Sequence, residues 1–335
     1  MTTKSRIRLC PLIVIELVLI LTNACKKEQE DEHWQPPVLT TENVYSIKTT
    51  TANCGGYITN DGGTTITARG VCWSTIQNPT IADSKTTDGT GKGTFKSEIT
   101  GLTAATIYYV RAYATNSKVT SYGNELFFKT CTGTVPDVDD NIYSIMTIGT
   151  QTWMAENLKT TKYNDNTAIP LVSDITAWAA SSTSGYCWYN NDAATYKATN
   201  GALYNWYALD AASNGGKNVC PTGWHVPTDA EWTTLTTFLG GESVAGGKMK
   251  ETGTANWRGP NTGATNESGF SALPSGGRYF NGTFSSIGTI GGWWSSTELL
   301  PWSARGRYLY FDYSLIYRGF GSKQDGFSVR CLKDY

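Results

Sequence analysis

Pro221-Thr222-Gly223-Trp224-His225-Val226-Pro227-Thr228-Asp229-Ala230-Glu231-Trp232 gives the clearest local signal in the chain. Thr228 with Glu231 three residues later is a capping box: the hydroxyl accepts the amide three residues on, and the carboxylate reaches back to the cap amide. A helix is predicted to start there. Trp232, Leu235, Phe238 and Leu239 then fall on one face at helical spacing, and Gly240-Gly241 ends the run. Glu231 is therefore read as a cap rather than a catalytic acid. In Gly246-Gly247-Lys248 the lysine comes one place late for a phosphate loop and no Ser or Thr follows, so Gly241 to Lys248 is read as a turn.

Toward the C-terminus, Trp293 to Cys331 gathers Trp293, Trp294, Trp302, Tyr308, Tyr310, Phe311, Tyr313, Tyr317, Phe320 and Phe327 among serines, glycines and three arginines. A core favours Leu, Ile and Val, whereas Tyr, Trp, Ser, Gly and Arg together suit a recognition surface. Ligand contacts are expected from Trp302, Arg305, Arg307, Tyr308, Tyr310, Asp312, Tyr313, Tyr317, Arg318 and Phe320. Carbohydrate is the preferred ligand, because Trp and Tyr faces stack on sugar faces while Arg, Asn and Asp bond hydroxyls. A protein partner comes next, since these residue types dominate interface hot spots. The alternative is that the rings fill the core of a domain short of aliphatic residues, and exposure decides between the two.

Upstream, Thr132 to Asp137 is a turn-rich joint, and Ile142 to Met154 reads as two strands around Gly149. Before the joint, Val38 to Thr130 reads as short strands between turns. Ala52 to Ile58 and Thr65 to Trp73 flank Asn60-Asp61-Gly62-Gly63, which predicts a hairpin. Cys54 and Cys72 on its two sides are either bonded or free buried thiols. Thr106 to Ala114 alternates, with Tyr108, Val110, Ala112 and Ala114 on the expected core face. Roughly seven such strands over about ninety residues predict a β-sandwich.

Two resemblances follow from these residues. Gly101-Leu102-Thr103 leading into Tyr108 to Asn116, with Gly70-Val71-Cys72-Trp73-Ser74, is similar to fibronectin type III-like repeats of Bacteroidetes surface proteins. Trp153 to Leu158, Gly201 to Trp206, Cys220 to Thr228, Trp294-Ser295-Ser296 and Gly326 to Cys331 resemble the Fibrobacter succinogenes major paralogous domain, itself distantly similar to formylglycine-generating-enzyme and C-type-lectin-like folds. The resemblances imply a mainly β chain: a fibronectin III-like sandwich over residues 38–131, a linker over 132–140, and a lectin-like α+β domain over 141–335. In lectin-like folds an irregular region before the last strands displays ligand-binding side chains, and Trp293 to Lys323 holds that place here. Trp293-Trp294-Ser295 and Gly326 to Cys331 match family motifs and are read as scaffold, which narrows the ligand-facing part to Trp302 to Phe320.

The N-terminus reads as an export signal over residues 1–24, with Lys4, Arg6 and Arg8 ahead of an apolar run from Leu12 to Leu21. Leu21-Thr22-Asn23-Ala24-Cys25 resembles a bacterial lipobox, which implies lipidation of Cys25 and a lipid-anchored, surface-exposed position in the outer membrane. The charged run Lys26 to Glu32 falls in a tether over 25–37 and resembles the surface-export signal of Bacteroidetes lipoproteins. A formal net charge of −1 offers no attraction for nucleic acid.

Only His33 and His225 are present, which excludes sites built on several histidines, and no GxSxG elbow or HExxH helix occurs. No metal, cofactor or catalytic residue is expected. A carboxylate-dependent hydrolase would need acids such as Asp312 and Asp325 to converge in a cleft. For an exported domain the cysteines read as structural. Cys220 and Cys331 are the expected disulfide, with Cys187 and Cys131 as competitors because connectivity is not fixed by sequence.

Overall fold

Alternating side chains build the first half of the chain. The computed structural model describes residues 34–335, so the expected export signal, Cys25 and His33 lie outside the described residues. Eight strands follow Pro37: β1 (Val38–Thr41), β2 (Ala52–Asn60), β3 (Ala68–Ser74), β4 (Ser84–Lys85), β5 (Gly93–Ile99), β6 (Ile107–Thr115), β7 (Thr120–Tyr122) and β8 (Leu126–Lys129). One sheet has the order β1-β2-β5; the other runs β4-β3-β6-β7, with β8 also pairing β6. The two sheets pack through Ile58, Val71, Phe95, Ile99, Tyr108, Val110, Ala112 and Phe128, so the core face of β6 is the one its alternation predicts. Gly56 lets the sheets approach: a Cβ there would lie 2.7 Å from the Phe95 ring and from Ala112.

The predicted hairpin does not form. β2 pairs with β1 and β5, while β3 crosses to the other sheet and pairs with β4 and β6. Cys54 faces the core, whereas Cys72, between the inward Val71 and Trp73, turns to the opposite face of its strand. Both thiols are free and buried, and burial pushes the Cys54 thiol up to about 12. Turn residues mark a reversal in the chain without saying whether it closes a ladder or crosses between sheets.

The second module is built on two further five-stranded sheets. The stretch read as a linker supplies a strand, β9 (Gly133–Pro136), so it is part of the module and not a spacer. β10 (Ile142–Ile148) and β11 (Gln151–Met154) form the predicted hairpin around Gly149, and β9 adds to its outer edge. After α1 (Ile175–Ala179), β12 (Tyr186–Cys187), α2 (Ala193–Asn200), β13 (Leu203–Tyr204) and α3 (Ala211–Asn214), β14 (Trp224–His225) leads into α4 (Asp229–Phe238) and α5 (Glu242–Met249). The chain closes with β15 (Ser275–Arg278), β16 (Phe284–Ile287), β17 (Ile290–Leu300), β18 (Ser303–Tyr310), β19 (Ile316–Ser322) and β20 (Leu332–Lys333). The orders are β14-β20-β11-β10-β9 and β16-β15-β17-β18-β19. The chain is mainly β. Pro36–Tyr335 cluster as one unit, and Thr252 Oγ1 donates to Val44 O at 3.0 Å across the seam between the modules.

The capping box holds: Thr228 Oγ1 accepts from Glu231 N, and the Glu231 carboxylate accepts from Thr228 N at 2.8 Å. Trp232, Leu235 and Leu239 are buried as the spacing requires. Phe238 departs from that face and is exposed, its ring lying over Gly149. The segment read as a turn is the helix α5. Glycine inside a helix costs about 1 kcal/mol relative to alanine, but here it permits close packing. A Cβ on Gly246 would stand 2.4 Å from Leu315 O, and one on Gly247 2.3 Å from Gly263 O.

Cys220 and Cys331 form the disulfide, with Cα atoms 5.9 Å apart and a sequence separation of 111. Cys131 and Cys187, the competing partners, are free and buried. Motif residues quoted above converge on Asn157. Its Oδ1 accepts from Trp293 Nε1 at 2.9 Å and from Arg330 Nε at 2.8 Å, while its Nδ2 donates to Asn200 O, Ser275 Oγ and Ser328 Oγ. Trp293 and Trp294 point from β17 into opposite cores, and Trp294 Nε1 donates to Tyr204 O. These residues are scaffold.

Candidate functional site

The aromatic segment folds into the last three strands of one sheet, and strand alternation sorts its side chains. In β18, Arg307 and Leu309 face α4 and α5, while Tyr308 and Tyr310 face the other way. Register places Tyr308 opposite Tyr317 and Arg307 opposite Arg318. The ten expected ligand contacts therefore separate into three groups.

Arg307 and Arg318 are committed to the fold. Arg307 is 1% exposed and donates to Asp229 Oδ1, to Asp229 O at 3.1 Å and to Thr233 Oγ1 at 3.1 Å. Arg318 donates Nε to Asp229 Oδ2 at 3.0 Å and Nη2 to the same carboxylate. Together they clamp the first turn of α4. Arg307 is buried and not free for a ligand as the sequence reading expected, whereas the Arg318 side chain stays 45% exposed. Burial works to raise the Asp229 carboxyl, but the hydrogen bonds from Arg318 and Arg307 outweigh it and hold it below its usual range. Arg305 is half-buried, and Asp312 sits exposed in the turn between β18 and β19.

Tyr308 is the second case. Expected at the surface, it is 9% exposed and packs edge-on against Phe327, with ring centroids 5.4 Å apart. Its ring lies flat because Gly319 carries no side chain: a Cβ there would be 2.9 Å from Tyr308 Cε2. The Tyr308 hydroxyl is buried without a hydrogen-bond partner, and burial pushes its phenol far up.

The remaining rings are at the surface. Trp302, Tyr313, Tyr317 and Phe320 are each more than half exposed, and Tyr310 is half-buried. They meet in two pairs, and three of the residues line one cavity. Trp302 meets Phe320 at 6.2 Å, Phe320, Tyr317 and Tyr310 share one cavity wall, and Tyr310 meets Tyr313 at 6.4 Å. The cavity holds about 230 Å³ and is also lined by Tyr279, Tyr308, Phe327 and Asp325 over the glycines Gly276 and Gly277. That is below the roughly 300–1,000 Å³ of a site enclosing a whole small ligand; it accommodates one group of a ligand lying across the exposed rings. Larger clefts of about 620 and 570 Å³ run along the seam between the modules, with Tyr45 and Phe95 as their aromatic lining.

Asp325 is the one carboxylate lining the aromatic cavity. Its Oδ1 accepts from Phe280 N at 2.7 Å and its Oδ2 from Ser322 N at 2.8 Å, so it closes the turn after β19. Burial raises its carboxyl to about 6, against the pull of those two amides. Asp312, the second acid a hydrolase reading would need, is not among the lining residues. His225, on the far side of α4, bridges Asp334 Oδ1 at 2.6 Å and Glu231 Oε1 at 3.0 Å. Among the described residues no group of three or more His, Cys, Asp or Glu side chains is placed to hold a metal.

Tyr279, Asp325 and Phe327 were missed as lining residues. Tyr279 follows β15 and reaches the cavity only through sheet order. The one signal in the sequence was the spacing of Gly292, Gly306, Gly319 and Gly321, bare positions in adjacent strands that leave room for rings.

The sensor domain of the anti-sigma factor RsgI4 from Pseudobacteroides cellulosolvens is 16% identical over 29% of this chain and 95% of its own, with a TM-score of 0.23. The fibronectin type III domain of the human KIAA0970 protein is 13% identical over 31% of this chain and 79% of its own, with a TM-score of 0.22. At these scores neither likeness bears on what the chain does. No curated protein matches it. The model of the Fibrobacter succinogenes major domain matches residues 146–333, which take in the whole β16-β15-β17-β18-β19 sheet, the other sheet apart from β9 and the start of β10, and the disulfide. That is more than half of the 335 residues, and the chain belongs to the Fibrobacter succinogenes major domain family.

Proposed function

We propose that this chain is a lipid-anchored cell-surface binding protein of the outer membrane, held through Cys25, whose second module is a lectin-like α+β domain that recognises carbohydrate. One observation carries the reading: four large aromatic side chains, Trp302, Tyr313, Tyr317 and Phe320, stand more than half exposed within one short stretch of chain, and Tyr317 and Phe320 belong to residues lining a cavity. Large hydrophobic rings gathered in water mark interaction sites rather than packing. Flat rings next to a polar-tipped cavity suit a pyranose face with its hydroxyls. The expected contacts narrow to Trp302, Arg305, Tyr310, Asp312, Tyr313, Tyr317 and Phe320, with Tyr308 as floor. The module acts by binding, without catalysis.

The anchor rests on the lipobox-like cysteine. Among the described residues no helix is long and apolar enough to cross a membrane, so acylation would be the means of attachment. A second reading, a protein ligand, is favoured by β19. It is the last strand of its sheet and offers an unpaired backbone edge to a partner strand.

Screening the mature chain on a glycan array, alone and as Trp302→Ala and Tyr317→Ala, tests the proposal. Binding that falls at least tenfold in both variants with unchanged melting is expected. Absence of binding to any glycan, or binding indifferent to both variants, overturns the carbohydrate reading. Replacing Cys25 by Ser should move the protein from the membrane to the soluble fraction, and a Cys25→Ser protein that stays on the membrane overturns the anchor.

A further inference from the structure

We propose that the cavity floored by Tyr308 and Asp325 is a cation site that takes the protonated amine of an amino sugar, so that the module reads a glucosamine-type residue within a glycan. The inference rests on the carbohydrate reading above and adds the chemical class of the residue recognised.

Charge accounting comes first. Asp325 is 6% exposed, and no basic side chain of the described residues lies within 4 Å of it. Its nearest candidates are turned elsewhere. Lys323 pairs with Glu298 at 3.3 Å and lies over the Trp206 ring, while Arg278 donates to Gly282 O, Val172 O and Ser173 O. The two backbone amides at Asp325 fix its position without neutralising it. A buried carboxylate is costly unless an opposite charge meets it, and none of the described residues supplies that charge.

The walls fit the same occupant. Tyr279, Tyr308, Tyr310, Tyr317, Phe320 and Phe327 surround the space, and aromatic faces attract cations through their quadrupoles. A carboxylate or sulfate would be repelled by Asp325, and a neutral hydroxyl would leave its charge uncompensated. The exposed rings at the mouth, Tyr317 and Phe320, supply the stacking surface for the rest of the sugar.

The mature chain is titrated calorimetrically with a glucosamine tetramer and with its N-acetylated counterpart, the same backbone without the charge. The glucosamine tetramer is expected to bind at least tenfold tighter. Asp325→Asn should abolish that preference while leaving the N-acetylated tetramer within twofold. Tyr317→Ala should weaken both.

Because Asp325→Asn also disturbs the turn after β19, a second measurement uses the unaltered protein. The preference should be greatest between about pH 6 and 7. It should fall below about 6, where Asp325 takes up its proton and the sugar amine stays charged, and fall above about 8, where the amine, no more basic than an α-amino group, loses its own proton. The other titratable side chains lining the cavity are phenols. The loss on the acid side then belongs to Asp325. A preference that is absent, or that survives Asp325→Asn or pH 5, overturns the cation site. If both tetramers still bind and both weaken in Tyr317→Ala, the aromatic recognition face stands without it. If neither binds, both readings fall.

Discussion

Replacing Asp229 by Ala tests the reassignment of Arg307 and Arg318 from ligand contacts to a structural clamp. Arg307 is 1% exposed, and its carboxylate partner would vanish while its guanidinium stayed buried. Removing one member of a buried ion pair costs about 3–5 kcal/mol, because the survivor keeps its desolvation penalty. The Arg318 arm is 45% exposed and adds at most about 1 kcal/mol. An acid in the first turn of α4 adds roughly 0.3–1 kcal/mol through the helix dipole. Asp229 O and Thr233 Oγ1 remain as acceptors for Arg307, which holds the total near 4 kcal/mol. For a cooperative unit of about 200 residues, the size of the second module, that corresponds to a fall in melting temperature of roughly 8–16 °C. The double variant Asp229→Ala, Arg307→Met removes the stranded charge and should recover about half of the loss in chemical denaturation. The pH dependence has a defined sign. The folded carboxyl sits below the unfolded value of about 3.9, so its stabilisation is complete above that value and is lost as the pH falls through the folded one. A single variant within about 1 kcal/mol of the parent, or a double variant no better than the single, would refute the clamp.

Three further outcomes are expected. Replacing Cys220 and Cys331 by Ala opens a loop of 111 residues and should lower stability by about 4–5 kcal/mol in denaturant titrations; a loss under about 1 kcal/mol would show that the bond is not constraining the unfolded chain. Thr228→Ala breaks the capping box and should cost about 1 kcal/mol, with faster amide exchange confined to the first turn of α4. Lys250 is buried and donates to Thr262 O, Tyr310 O and Tyr313 O, and burial lowers its ammonium to about 8. Its unfolded state holds more protons between about 8 and 10.4, so Lys250 adds stability as the pH rises across that window, while buried thiols such as Cys54 work the other way. The stability gap between the parent and Lys250→Met, about 2–4 kcal/mol overall, should therefore widen with pH there, and a gap that stays constant would refute the lowered ammonium.

The features legible in the sequence were those settled within a few residues. Thr228 and Glu231 reach each other across one helical turn, so their spacing alone announced α4. Alternation along Ile107–Thr115 named the buried side of β6, and Gly149 marked the hairpin of β10 and β11. Trp293, Trp294 and Arg330 were recognisable as scaffold because they sit in motifs that hold the two cores together.

What the sequence left open depended on partners far away in the chain. Asn60 to Gly63 marked a reversal, but only sheet pairing decided that β2 and β3 lie in different sheets and that Cys54 and Cys72 point apart. The glycines of α5 looked like a turn until Leu315 and Gly263 came within reach of their α-carbons. Composition correctly identified Trp302 to Phe320 as unusual, yet it could not separate Arg307 from Tyr317. A one-residue step in a strand moves a side chain from one face to the other, and which face meets α4 and which meets water is set by packing between elements distant in sequence. The chain's local chemistry determined where helices cap and strands alternate. Only the tertiary structure decided which rings form the floor, which stand in water, and which acid is left buried without a cation.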